Sequence, residues 1–303
     1  MKKFLRWTTR IVGTLLAVLV LVLAGAYGVT EARMRRTYDV PVAAPRVVMN
    51  AQQITEGRRL AVTRGCTDCH GDNMAGNTVI NQFPLGRISG SNLTRGKGGV
   101  GGRYQDADYV RAIREGVSAD GRPLLLMPSN EFNGMSDEEV AAIIAYLRTV
   151  PPVDHEQDGN ALWPLGRALM AGGVLPLLSA EVIDHAAPRA AAPAPAVTVE
   201  YGRHIAQGCT GCHGKTLVGG AVTGAPADWA TPANLTPHAD GLGAWSEDDF
   251  IHALRTGRRP DGTELRAPMP WKATSQMTDT EIRALWQYLK TIPALPDGSP
   301  RDP

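Results

Sequence analysis

The hydrophobic pattern of the chain changes period along its length. Ile11 to Thr30, IVGTLLAVLVLVLAGAYGVT, is a run of 20 residues without a charge. As a helix rising about 1.5 Å per residue it spans the roughly 30 Å hydrocarbon layer of a bilayer once. Farther on, apolar residues recur at helical spacing. Val140, Ile143, Ile144 and Leu147 form one stripe, and Ile282, Leu285, Trp286 and Leu289 another. Each follows a capping box, Ser136-x-x-Glu139 or Thr278-x-x-Glu281, and each meets a proline, Pro151 or Pro293, that stops the helix. A middle helix is expected between Tyr104 and Gly116 and again between Trp245 and Gly257, with acids in the first turn and glycine at the end. Amphipathic stretches also lie around 52–65 and 199–208. No half shows strand-like alternation, so the fold is expected to be all-α.

These elements occur in the same order twice. Asn92-Leu93-Thr94 returns as Asn234-Leu235-Thr236, and Met127-Pro128 as Met269-Pro270, both 142 positions later. The expected organisation is an N-terminal membrane segment over 1–36, one module over 37–152, a Pro/Ala-rich linker over 153–197 and a second module over 198–303. Within the linker, AAPRAAAPAPA at 186–196 should be extended and semi-rigid. Leu162–Ile183 is more apolar, but Arg167, Gly172-Gly173 and Pro176 interrupt it. It is expected to pack on a module, covering an edge near the contact between the two, with a contact to the membrane surface as the competing reading, rather than to cross a membrane.

Composition narrows the class. A chain of 303 residues has room for two domains of typical size. With 43% hydrophobic and 20% charged residues and a mean hydropathy of −0.16, neither wholesale disorder nor a polytopic membrane protein fits. Lysine plus arginine number 31 against 30 acids, which gives no electrostatic case for binding nucleic acid. Lys2, Lys3, Arg6 and Arg10 precede the apolar run, as a cytoplasmic N-terminus requires, although Arg33, Arg35 and Arg36 beyond it weaken that bias. Ala24-Gly25-Ala26 offers a cleavage site, so a signal peptide is the competing reading, and either reading exports the body of the protein.

All four cysteines fall in two identical patterns, Cys66-Thr-Asp-Cys69-His70 and Cys209-Thr-Gly-Cys212-His213. Two thiols three positions apart can add across the vinyl groups of one haem, and the following imidazole then reaches the iron. Paired disulfides or redox dithiols leave both histidines unexplained, and a four-cysteine zinc site must join ligands from both modules. The remaining histidines, His155, His185, His204, His238 and His252, do not repeat and are not expected to bind metal. Gly96–Gly102 resembles a phosphate loop in composition only and reads as a flexible loop. Asn92 and Asn234 begin formal glycosylation sequons, but their repetition favours a structural turn.

CxxCH after a first helix, an NLT loop, a middle helix, Met-Pro and a capped final helix, seen twice behind an anchor, resembles the membrane-bound dihaem class I c-type cytochromes. The resemblance covers both modules. It implies two covalently attached haem c groups, held by Cys66, Cys69 and His70 and by Cys209, Cys212 and His213. It places the sixth iron ligands at Met127 and Met269. Met135 and Met277 also repeat, but each precedes a capping residue and is accounted for as a hydrophobic staple. Pro84 and Pro226 resemble the family's proline whose carbonyl accepts from the iron-ligating imidazole. The resemblance further implies electron transfer on the periplasmic side of a bacterial inner membrane, between a dehydrogenase or quinol-oxidising complex and a terminal oxidase or soluble cytochrome. The span over 11–30 would then anchor the chain, or leave it periplasmic if cleaved. A dihaem peroxidase with one open iron is the competing class, and two matched Met-Pro loops argue against it.

Overall fold

A computed structural model describes residues 2–188, 191–223, 225 and 228–302. Helix α1 (Lys2–Arg35) is the one helix among the described residues long and apolar enough to cross a membrane. Most of it is exposed, but Leu23, Ala26, Thr30 and Met34 form a covered face at helical spacing.

The first module begins with α2 (Ala51–Thr63), capped by the Asn50 side chain, which accepts from the Gln53 amide. The short helix α3 (Cys66–His70) carries the whole first CxxCH. A hairpin of β1 (Thr78–Gln82) and β2 (Gly86–Ser89) follows, then α4 (Asp106–Val110), which runs on as one wide turn over Arg111–Glu115 and ends at left-handed Gly116. Helix α5 (Ser129–Phe132) and the final α6 (Asp137–Thr149) close the module. The linker adds β3 (Ala161–Leu162), α7 (Pro164–Ala171) and a tight turn over Ser179–Glu181. The second module repeats the plan with α8 (Val199–Ala206), α9 (Thr210–His213), α10 (Glu247–Thr256), α11 (Trp271–Thr274) and α12 (Asp279–Leu289). Both expected capping boxes are present, Ser136 with Glu139 and Thr278 with Glu281.

Each module is built on one close helix crossing. A Cβ added at Gly57 on α2 would sit 1.8 Å from the Ala142 carbonyl oxygen on α6, and one at Gly202 on α8 would sit 2.0 Å from that of Ala284 on α12. Only glycine lets these backbones touch. Around the crossings, Leu60, Val140, Ile143, Ile144 and Leu147 form the first core, and Ile205, Ile282, Leu285, Trp286 and Leu289 the second.

Two features depart from the sequence pattern. The fold is mostly helical, yet β1, β2 and β3 form a small antiparallel sheet. Its strands have two to five residues and β1 is exposed on both faces, so no alternation long enough to read marks them. The glycine-rich segment is not a free loop. Cβ atoms at Gly96 and Gly98 would lie 2.2 Å from the Val153 carbonyl oxygen and 2.5 Å from that of His155, so the glycines serve close packing against the start of the linker. The linker packs on the first module as expected. Its apolar part, 162–183, does so through the sheet, the loop carrying Met127 and α1, while Asp184, His185, Ala187 and Pro188, with 191–193, line a cavity with Asn133 of the first module and His204 of the second, beside the junction.

The modules meet across a reciprocal pair of contacts. Arg59 on α2 forks onto Glu281 at the start of α12 through bonds of 2.6 and 3.1 Å. His204 on α8 lies 3.0 Å from Glu139 at the start of α6, and Arg64 reaches the same carboxylate at 2.7 Å. Arg59 and His204 each stand two residues after the crossing glycine of their module, and Glu139 and Glu281 are the repeated capping acids. The junction is therefore pseudo-symmetric in sequence as well as in space.

Candidate functional site

The two attachment segments have the same local geometry. Each ends in a glycine at positive φ, Gly71 at 75° and Gly214 at 76°, which turns the chain sharply after the histidine. His70 and His213 are buried, with 8% and 7% of their surface exposed. Nδ1 of His70 lies 2.7 Å from the Ser91 carbonyl oxygen, and Nδ1 of His213 lies 2.7 Å from that of Ala233. A carbonyl only accepts, so Nδ1 carries the proton and Nε2 keeps its lone pair for a metal. Burial lowers both histidines below their ordinary 6.5, partly offset by these hydrogen bonds, which favours the neutral ligand form.

The carbonyl partner corrects the sequence expectation. Pro84 does not orient His70; its carbonyl instead accepts from the Leu165 amide at 3.3 Å, because Pro84 sits in the β1–β2 turn against α7. Pro226 lies outside the described residues, but the acceptor for His213 is Ala233. In both modules the acceptor is the residue just before the Asn-Leu-Thr repeat. Asn92 and Asn234 explain why that loop is held. Their side chains donate to the Val153 and Leu295 carbonyls, each at 2.8 Å, and accept from the Thr94 and Thr236 amides, each at 2.9 Å. The NLT loop thus ties the imidazole's partner to the strand of chain that leaves the final helix. Asn92 and Asn234 are buried, with 2% and 5% of their surface exposed, which accounts for them as structural residues.

The four thiols are unpaired, and burial pushes Cys66 up to about 12 and Cys209 to about 11. Among the described residues no three or more His, Cys, Asp or Glu side chains converge as metal ligands. Two free thiols flanking one turn of helix, with an oriented neutral imidazole next in sequence, are the donor set for covalent haem, and the residues fit it in each module.

Met127 and Met269 are half-buried, pack against their module's core, and stand one residue before the prolines that cap α5 and α11. Met135 and Met277 lie deeper, 5% and 7% exposed, in the same cores. Among the described residues, the Met127 loop has a side-chain support that its counterpart lacks. Ser179 of the linker donates to the Met127 carbonyl oxygen at 2.6 Å, and the Leu126 amide donates to that of Leu177 at 2.8 Å. The other histidines are engaged elsewhere: His155 with the Ala75 carbonyl, His185 with Glu115 and the Ala180 carbonyl, His204 with Glu139 and His238 with Asp240, while His252 is exposed on α10.

One residue near the site carries no sequence signal. Glu131 on α5 of the first module lies against Gly211, between the second pair of cysteines, where a Cβ would meet its carboxylate oxygen at 2.6 Å. Burial alone raises its carboxyl to about 7. The position equivalent to Gly211 in the first module is Asp68, so the glycine is the clue in retrospect.

Two helical modules, each presenting this donor set behind one apolar N-terminal helix, define a tandem c-type cytochrome. The chain belongs to the cytochrome c family, whose model matches residues 54–151 and 199–293, and it carries two covalently attached haem c groups. It is 28% identical over 279 residues to the cytochrome c subunit of an alcohol dehydrogenase (quinone) from Gluconobacter oxydans, covering 81% of this chain and 56% of the relative. It is 28% identical over 306 residues to a fructose dehydrogenase cytochrome subunit from Gluconobacter japonicus, covering 91% and 58%. A diheme cytochrome c-type protein from Cereibacter sphaeroides is 27% identical over 277 residues, covering 80% and 87%. The chain thus spans just over half the length of the dehydrogenase subunits it matches.

Proposed function

We propose that this chain is a membrane-anchored electron-transfer subunit that takes electrons from a dehydrogenase and delivers them to a further redox partner. The observation that carries the reading is the duplicated donor set: both modules offer the same thiols, the same oriented imidazole and the same Met-Pro loop. Bound haem supplies one-electron redox chemistry, its iron cycling between two oxidation states. The chain's part is to hold and tune it. His70 and Met127 ligate one iron, and His213 and Met269 the other, so that neither keeps a position for substrate. The Ser91 and Ala233 carbonyls fix the ring orientation of the histidines and raise their basicity. Ser179 holds the Met127 loop in place.

The relatives named as cytochrome subunits of alcohol and fructose dehydrogenases support a dehydrogenase donor. The acceptor, a terminal oxidase or soluble cytochrome, follows from the family resemblance. The basic residues before α1 support a cytoplasmic N-terminus with both modules in the periplasm, within the boundaries 1–36, 37–152, 153–197 and 198–303.

Redox titration of the full-length chain tests the reading. Two haems per chain, two one-electron waves and a ferrous form that does not bind carbon monoxide are expected. Carbon monoxide binding at either iron of the native protein, or turnover of hydrogen peroxide, would put the dihaem enzyme in its place. A C-terminal alkaline phosphatase fusion should be active, and an inactive fusion would reverse the orientation.

A further inference from the structure

The linker helix α7 lies beside the outer end of α1, and the two run in the same direction. Arg167 reaches the Thr30 hydroxyl at 2.8 Å and Glu31 at 3.1 Å, with its guanidinium 3.9 Å over the Tyr27 ring. One turn later, the Met170 carbonyl accepts from Arg33 at 2.7 Å, and Arg33 also pairs with Glu181 at 2.9 Å. The contacts therefore ascend together along both helices. Carried one turn back along both helices, this register sets the first turn of α7 at the level of residues 23–26, inside the uncharged run that ends at Thr30, where Leu23 is partly covered and Ala26 buried.

At that end of α7 the surface is apolar. Phe83, at the tip of the β1–β2 turn, is 81% exposed, and its ring centroid is 5.8 Å from that of Trp163, the residue capping α7. Leu165 is 43% exposed and Val79 41%. The turn is fastened to α7 by the Trp163 amide on the Leu85 carbonyl at 3.1 Å and the Leu165 amide on that of Pro84 at 3.3 Å. The two segments that meet here, 73–86 and 159–166, contain no charged residue. Arg167, the one charged residue of α7, reaches Glu31, and Arg87 and Asp158, which border the two segments, pair with each other at 2.8 Å.

We propose that this patch, Phe83, Trp163 and Leu165, is a lipid-contacting surface that rests the first module on the outer face of the bilayer beside α1. It rests on the reading of α1 as a retained anchor. Continuity with the span selects lipid over a protein partner. Ala26 is five residues before Glu31, the first charge after the run, which puts the start of α7 about 7 Å below the level where α1 becomes polar. An exposed phenylalanine and a tryptophan at that depth match the aromatic belt of membrane proteins, and Arg167 reaches outward as a snorkelling side chain does. The consequence is that the first module is held at a fixed height while the second projects away, reached through the reciprocal Arg59–Glu281 and His204–Glu139 contacts.

The test uses the full-length haem-loaded chain, one copy per lipid nanodisc, with a photoactivatable phosphatidylcholine whose reactive group lies in the upper acyl chain, and peptide mapping of the adducts. Adducts on α1, on 78–86 and on 159–171, with none in 198–302, are expected. Phe83→Ser combined with Leu165→Ser should cut the adducts on 78–86 and 159–171 several-fold while those on α1 and the haem spectrum stay unchanged. Adducts confined to α1 would overturn the lipid contact and leave the anchor intact. No adducts on α1 would overturn the anchor itself. If the patch is unlabelled in one-copy discs but cross-links between chains in two-copy discs, its occupant is a second copy of this chain.

Discussion

Glu139 joins the two modules, and its neutralisation has a calculable cost. Burial by itself would raise this carboxyl, but the hydrogen bond to His204, the Arg64 guanidinium and the Ser136 amide outweigh it and hold it at about 2, against an ordinary 4.5. A difference of about 2.5 units corresponds to about 3 kcal/mol of folding stability. Because the folded value is depressed, that stability is fully present above pH 4.5 and is lost as pH falls toward 2, with about 2 kcal/mol gone by pH 3. Glu139→Gln keeps the shape but leaves Arg64, whose side chain is only 8% exposed, without its countercharge. Guanidinium unfolding of wild type and variant, followed across pH 7 to pH 3, checks this. The variant should be less stable by about 3 kcal/mol at pH 7, and the gap should narrow to about 1 kcal/mol at pH 3. Parallel stability curves, or a gap that widens in acid, would mean that the Glu139 charge does not stabilise the junction.

Met127→Ala or Met269→Ala should open one iron to carbon monoxide and lower its potential, read by spectroelectrochemistry, whereas Met135→Ala or Met277→Ala should leave ligation intact and cost about 2–3 kcal/mol of stability as buried methionines do. Gly57→Ala should destabilise the first module and Gly202→Ala the second by at least about 2–3 kcal/mol, because the added methyl meets a helix backbone rather than a movable side chain; calorimetry of each variant measures it. Ser179→Ala should raise the rate of carbon monoxide binding at the first iron alone, since among the described residues no side chain straps the second Met-Pro loop in this way, and flash photolysis separates the two sites.

Much of this architecture was legible in the residues because it rests on local rules. The capping acids Glu139 and Glu281, the stops at Pro151 and Pro293 and the glycine ends of the middle helices each act over a few residues, and duplication displayed every one of them twice. The histidine partners were not legible. A backbone carbonyl carries no residue signature, so Ser91 and Ala233 are visible only as neighbours of Asn92 and Asn234, whereas Pro84, which has a signature, lies in the hairpin turn. The sheet escaped because β1 is exposed at nearly every position and the alternation of β2 and β3 runs over only four and two residues. The module junction escaped for another reason. Arg59 and His204 occupy the same place in the two repeats but differ in type, and the first module has two more residues between its crossing glycine and its cysteine, which hides the correspondence. Glu131 lies in a helix of one turn and meets a glycine far along the chain, so only packing brings the two together.

Closure of both irons by histidine and methionine is what separates a carrier from an enzyme here. Near-infrared magnetic circular dichroism of the ferric full-length protein, normalised to haem per chain, tests it most directly, because low-spin His/Met, low-spin bis-His and high-spin iron give distinct bands. Two low-spin His/Met centres per chain are expected. A high-spin or bis-His signal from either module would contradict that closure and make peroxide the next ligand to add.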